Sequence, residues 1–147
     1  MRELKVMFNN KQIHNKEKLY LKDVRSKPKV IFNKAANKYY TYMLVDPDAP
    51  YANDPVNKHW LHWMVTNVSN DKTTEKEVNK FQPSAPPAPK NPDETNEHRY
   101  YFYLFEQTGP LEVDKQRTAK FNLDHFISSN KLKPVSCVMY RAEYEAK

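Results

Sequence analysis

The residues of this chain whose types can do chemistry fall into two short runs. Asp46, Asp48, His59 and His62 lie within "DPDAPYANDPVNKHWLH", and His98, Arg99 and Tyr100 follow one another further on. Carboxylates, imidazoles and a phenol are the groups that move protons. Two histidines three positions apart invite a metal pair, and an arginine offers a forked clamp for an anion. Each also has a plainer role. A histidine in a half-buried strand is commonly a hydrogen-bonded structural residue, Asp-Pro-Asp is commonly a turn, and Arg99 is most simply an ion-pair partner for Asp46 or Asp48. The elements that carry these residues decide between the two.

Those elements read as strands. Leu4 to Ile13, Lys29 to Asn33, Tyr39 to Val45, Trp60 to Val68, Tyr100 to Phe105 and Val135 to Glu143 are short, rich in aromatic and β-branched residues, and bounded by turn-forming clusters. That is the pattern of a mainly β, antiparallel sandwich. Two stretches read as helices: Asp71 to Phe81, which is polar and weakly periodic, and Phe121 to Leu132. In the second, Asn122 is placed to cap, Leu123, Phe126 and Ile127 recur at helical spacing, and Pro134 stands just past the end.

Strand alternation then sorts the side chains. His98, Tyr100, Phe102 and Leu104 share one face, and Arg99, Tyr101, Tyr103 and Phe105 the other. The same arithmetic groups Trp60, His62 and Met64 against His59, Leu61 and Trp63, so the two histidines diverge and no metal set is assigned. Asp46 and Asp48 would share a side if the strand ran on past Val45, although Pro47 and Pro50 bend the path.

Composition narrows the function classes. At 147 residues the chain fits one domain, 1–147, large enough to bury a core, and its lone Cys137 excludes an intramolecular disulfide. With no charged-then-apolar leader and no apolar run of membrane-span length, the expected address is the cytoplasm. Asn67-Val68-Ser69 matches a glycosylation acceptor by chance. The net charge is +6, and Lys11, Lys16, Lys18, Lys22, Arg25, Lys27 and Lys29 make the amino-terminal fifth the most basic region. No zinc spacing, recognition helix or RNA-binding signature accompanies them, so nucleic acid is not an expected partner. Gly109 is the only glycine against eleven prolines, which excludes phosphate-cradling loops of the P-loop and dinucleotide types.

The stretch Phe81 to Glu97, "FQPSAPPAPKNPDETNE", carries five prolines and reads as a long, stiff loop. It leads directly into His98-Arg99-Tyr100. The blocks "DPDAPYANDPVNKHWLHWMVTNV" and "SAPPAPKNPDETNEHRYYFYLFEQ", in that order, resemble the phosphatidylethanolamine-binding protein family, which includes the Raf kinase inhibitor proteins and plant flowering-time regulators. The tail "TAKFNLDHFISSNKLKPVSCVMYRAEYE" is similar to the family's closing helix and strand, and the likeness runs from Tyr39 onward.

The resemblance implies an antiparallel Greek-key β-sandwich of two sheets with a few short peripheral helices, and a small cavity at one end that takes a phosphate or a phospholipid head group. Carried over by motif position, Asp46, His62, His98 and Tyr100 form the site, with Pro86 and Pro87 as loop wall. Trp60 borders it because it shares the face of His62. Both imidazoles and the phenol would donate to phosphate oxygens, Asp46 would orient a histidine or receive an ammonium, and Asp48 and Arg99 would hold the loops. The implied function is a cytoplasmic binding protein that modulates a signalling partner such as a protein kinase, with no cofactor and no metal. Peripheral membrane contact is compatible with it.

Two alternatives accompany this reading: an interaction scaffold that has lost its ligand, and, further behind, a hydrolase using Asp46, His62, His98 and Tyr100. Against the hydrolase, the chain has no serine nucleophile elbow, and Cys137 is expected in a core strand. The chain departs from the family where a glycine-containing turn before His-Arg-Tyr is replaced by "DETNE", Asp93 to Glu97, whose three acids are expected near the cavity mouth. The family's paired histidines are here Leu61 and His62. The sequence ends at Lys147, without the further carboxy-terminal helix of the animal members, so no gating role is carried over.

Overall fold

A computed structural model describes residues 3–146. Among them the chain forms β1 (Leu4–Phe8), β2 (Lys11–Gln12), β3 (Glu17–Lys18), β4 (Lys29–Phe32), β5 (Tyr39–Asp46), β6 (Trp60–Val68), β7 (Lys76–Asn79), β8 (Glu97–Gln107), α1 (Leu123–Ser129) and β9 (Lys133–Glu143). A six-stranded sheet has the order β3-β9-β8-β5-β6-β7, and a three-stranded sheet the order β2-β1-β4. Strands β5, β6 and β7 follow one another as a meander, and β8 then returns to lie against β5 on the other side. This is the Greek-key order, with the fourth strand beside the first. The return connection is the proline-rich stretch, so the topology carries that loop across one end of the sheet. All pairings are antiparallel except β3 with β9, which is parallel.

The two sheets pack face to face. Val6, Phe8 and Phe32 of the small sheet meet Tyr40, Tyr42, Leu44, Phe102, Leu104 and Tyr140 of the large one, all buried. Each such side chain contributes about 1.5–3 kcal/mol by leaving water, which makes this interface the main source of stability. The outer face of the large sheet is covered by α1 and the segments flanking it: Phe121, Leu123, Phe126 and Leu132 lie over Met43, Val45, Leu61, Met64 and Phe105. Strand β5 is therefore buried on both faces, which explains its nearly unbroken apolar run.

Two bulges in β6 depart from simple alternation. Leu44 pairs with Trp63 and Val45 with Leu61, leaving His62 as the extra residue. Two residues of the bulged strand then oppose one of its partner, so alternation resets. Trp63 thus falls on the inner face with His62, stacked edge-on against Tyr42, and Met64 joins the outer cluster. This reverses the faces expected for both residues. The second bulge places Asn67 at φ 59°, where its side chain bonds the backbone of Leu111 and the amide of Gln107. With its amide so occupied, Asn67 is held as a structural hub.

The two helical expectations fare differently. Asn122 caps α1 by accepting from the His125 N–H at 3.1 Å, and the helix stops at Asn130 as Lys131 turns left-handed, shorter than the sequence span. The stretch Asp71 to Phe81 is not a helix. Asp71 caps a single 3-10 turn, 72–74, and the chain then extends as β7, because pairing with β6 and burial of Val78 outweigh a weak helical periodicity. Cys137 lies on β9 as expected, yet it faces outward and is exposed rather than in the core. No helix among the described residues is long and apolar enough to cross a membrane.

Candidate functional site

Three strand ends converge at one end of the large sheet. Because β5 runs antiparallel to both neighbours, its last residue, Asp46, pairs with the first residue of β6, Trp60, while Val45 pairs with Tyr101 near the start of β8. Asp46 continues the inner face of Tyr42 and Leu44, as Tyr100 and His98 continue that of Phe102. The bulge keeps His62 on the same side. Asp46, His62, His98 and Tyr100 are thus brought together, each buried.

Asp46 is the hub. Its Oδ2 lies 2.7 Å from His98 Nδ1 and 4.0 Å from His62 Nε2, and its Oδ1 accepts the Asp48 N–H at 2.7 Å, closing the Asp-Pro-Asp turn. Nε2 of His98 lies 3.0 Å from the Pro50 carbonyl. Both partners of His98 are acceptors, so each ring nitrogen already faces a protein oxygen. No N–H of His98 is then left for a ligand, contrary to the expectation that both imidazoles donate to a phosphate. His62 donates from Nδ1 to the Gln82 carbonyl at 2.8 Å, which turns Nε2 inward. Burial holds the His62 imidazole below its ordinary protonation range, with the Gln82 carbonyl and Asp46 opposing.

Tyr100 sits between the two imidazoles, edge-on to His62 with ring centres 5.4 Å apart and stacked on His98 at 6.1 Å. On its other side it stacks on Tyr140, which meets Phe8 of the small sheet edge-on. Its hydroxyl is buried without a hydrogen-bond partner among the described residues. The Ser84 hydroxyl bonds the phenol of Tyr140; it lies near enough to the Tyr100 phenol to oppose the effect of burial there, without completing a well-formed hydrogen bond. Burial first, then the charge of Asp46, pushes the Tyr100 phenol up, so it remains a proton donor across the accessible pH range.

A cleft of about 300 Å³ opens over these groups, lined by Ala49, Pro50, Trp60, His62, Gln82, Pro83, Ala85, Pro87, His98 and Tyr100. Its walls are mostly apolar, and Trp60 is fixed by its indole N–H donating to Gln82 Oε1 at 3.2 Å. Of the two prolines expected as wall, Pro87 lines the cleft, whereas Pro86 is buried and turned away, because neighbours in an extended loop point to opposite sides. The acids of the Asp93 to Glu97 stretch do not line it. Glu94 reaches Asn53 and Glu97 pairs with Arg141 and Lys18.

Two further contacts hold the frame. Asp48 turns away from Asp46 and takes three hydrogen bonds from Arg99: the backbone N–H at 2.7 Å, Nε at 2.9 Å and Nη2 at 2.8 Å. His98 and Arg99 project from opposite faces of β8, so the turn straddles the strand and the two acids do not share a side. Asn96, missed in the sequence, donates from Nδ2 to the carbonyls of Pro50 and Pro87 and accepts the Ala52 N–H. It ties the two loops that frame the cleft. The signal for it was its place immediately before β8, in a loop otherwise built of prolines and acids.

The fold is a Greek-key β-sandwich with a buried polar cluster at the convergence of three strands, under a proline-rich loop. The sequence profile described as "Phosphatidylethanolamine-binding protein" matches residues 7–140. A phosphatidylethanolamine-binding protein homolog of Acanthamoeba polyphaga mimivirus is 39% identical, over 96% of this chain and 97% of its own length. Protein TERMINAL FLOWER 1 of Arabidopsis thaliana is 32% identical, over 97% of this chain and 80% of its own. The chain belongs to the phosphatidylethanolamine-binding protein family. Among solved structures, the carboxypeptidase Y inhibitor in complex with its cognate proteinase superposes with a TM-score of 0.83 at 19% identity, covering 98% of this chain and 84% of that one. A phosphatidylethanolamine-binding protein from Plasmodium vivax gives 0.77 at 17%, covering 99% and 86%. At those identities the likeness is one of fold.

Proposed function

We propose that the protein is a cytoplasmic binding protein whose cleft takes a small phosphate-bearing group, free or as a phospholipid head group, and that ligand occupancy modulates a signalling partner such as a protein kinase. The observation that carries the reading is the buried, unpartnered hydroxyl of Tyr100, beside a cleft that is otherwise apolar. Leaving such a group unpaired costs about 1–3 kcal/mol, which an acceptor oxygen of a ligand recovers. The phenol donates to a phosphate oxygen. Nε2 of His62 accepts from a P–OH group, or donates once protonated, so a singly protonated phosphate matches both. Asp46 acts through His98, fixing its ring, and Trp60 and Pro87 wall the group in.

Binding rather than hydrolysis is favoured because the groups left free at the cluster, the Tyr100 phenol and His62 Nε2, are a phenol kept protonated by burial and an imidazole nitrogen with no hydroxyl or thiol beside it to activate. Both nitrogens of His98 are engaged, His62 Nδ1 is bonded to a carbonyl, and the Ser84 hydroxyl is bonded to Tyr140. The test is an NMR titration of the labelled protein with phosphoethanolamine and with inorganic phosphate. The expected result is saturable shifts confined to His62, Tyr100 and the loop 82–87, lost in Tyr100→Phe. No shift at millimolar ligand would leave the protein as an interaction scaffold.

A further inference from the structure

The charge of this chain is unevenly divided between its sheets. Residues 1–38 hold eleven of the 24 Lys and Arg but three of the 18 Asp and Glu, while the rest of the chain carries more acids than bases. That stretch supplies the whole three-stranded sheet. On β1 and β4 the alternation that sends Val6, Phe8 and Phe32 into the core turns Lys5, Met7, Lys29 and Ile31 outward, and the register sets Lys5 beside Ile31 and Met7 beside Lys29. Ile31 is 44% exposed, one of few large apolar side chains at the surface. The approach of Glu3 to Lys5, 3.9 Å, is a solvated pair. Among the described residues, Lys29 on this face and Arg25 on the segment leading into β4 have no carboxylate within ion-pair distance.

We infer that the outer face of the three-stranded sheet docks on an anionic lipid bilayer. Ile31 and Met7 enter the boundary between head groups and acyl chains, and the lysines around them reach the phosphates while their stems cover apolar surface. Unpaired cations and a central apolar pair on one strand-built face draw on the two forces that hold peripheral proteins, surface potential and apolar burial. A nucleic acid would reward the lysines alone: it has no use for Ile31, and the aromatic rings that would stack its bases, Phe8 and Phe32, point into the core. The surface is separate from the cleft, which β5, β6, β8 and the proline-rich loop build at the end of the other sheet.

The experiment is co-sedimentation with vesicles of phosphatidylcholine containing a third phosphatidylserine, and with phosphatidylcholine alone, at low and physiological salt. Binding to the anionic vesicles only, weakened by salt and reduced roughly tenfold by Lys29→Glu and by Ile31→Asp, is expected. Thermal melts of both variants show whether the fold is kept, and Lys5→Glu gives an independent readout on the neighbouring strand. Free phosphoethanolamine at constant ionic strength leaves the vesicle-bound fraction unchanged. No binding to anionic vesicles, equal binding to neutral ones, or displacement by phosphoethanolamine would overturn the inference, the last because contact would then run through the cleft. So would loss of a duplex-DNA complex in Lys29→Glu with vesicle binding intact, which would assign the face to nucleic acid.

Discussion

The carboxylate of Asp46 at the end of β5 and the imidazole of His98 near the start of β8, 52 positions apart in the chain, meet at 2.7 Å in the buried end of the sandwich. The same His98 ring bonds the Pro50 carbonyl, so the pair fixes the turn after β5 onto β8 while leaving Tyr100 and His62 as the groups with spare hydrogen-bonding capacity. Asp46 and His98 are thereby a positioning pair. Replacing His98 is expected to loosen the loop 47–52 as well as weaken ligand binding.

Tyr100→Phe separates binding from stability. Removing a hydroxyl that has no partner among the described residues leaves the melting temperature unchanged or slightly raised, since an unpaired buried donor costs about 1–3 kcal/mol. Affinity for phosphate is expected to fall about tenfold, the value of one lost hydrogen bond of about 1.4 kcal/mol. Calorimetric titration and thermal unfolding of the same variant check both halves.

The pH dependence of folding follows from His62. The unfolded imidazole takes up its proton near pH 6.5, whereas burial holds the folded one lower. Between those two values the unfolded chain binds more protons, so stability falls as pH drops below about 6.5. His59, lowered by burial and by Lys58, acts in the same direction. The expected outcome in urea denaturation is therefore a smaller loss between pH 7.5 and 5.5 in His62→Gln than in wild type. Phosphate affinity moves the other way, rising on acidification as His62 Nε2 gains its proton.

Asp48 and Arg99 should couple strongly for a pair that is open to solvent on one side. The Arg99 side chain is half exposed, so the ionic part is screened, but the backbone N–H of Arg99 also depends on Asp48. A double-mutant cycle with Asp48→Ala and Arg99→Ala is expected to give a coupling of about 1 kcal/mol. Asp48→Ala alone costs more, about 2–3 kcal/mol, because it orphans that N–H.

Asn96→Ala removes three hydrogen bonds that join the loop after β5 to the proline-rich loop. A stability loss of about 2 kcal/mol is expected. The more telling readout is hydrogen exchange, in which the amide of Ala52 loses protection while amides in the centre of β5 and β8 keep theirs.

What the chain determines by itself is local. The alternation of "HRYYFYLF" places His98 and Tyr100 on the core side of β8, and the structure agrees because β8 is regular where the site forms, its one irregularity lying beyond Leu104. Asn122 caps α1 because an asparagine there can reach its own next turn, a contact of three residues. The mainly β architecture follows from short aromatic and β-branched runs for the same reason. Tertiary structure decided the rest, through contacts between residues far apart in the chain. The bulge at His62 exists only in the register of β6 against β5, and it moved Trp63 and Met64 to faces that alternation denied them. Asp46 and Asp48 look equivalent in "DPD", yet one meets His98 and the other Arg99 because the turn closes around a strand from elsewhere in the chain. Pro87 rather than Pro86, the clamp at Asn96 and the unpaired hydroxyl of Tyr100 belong to the same kind. Each depends on which partner arrives in space, and neither periodicity nor propensity along the sequence carries that information.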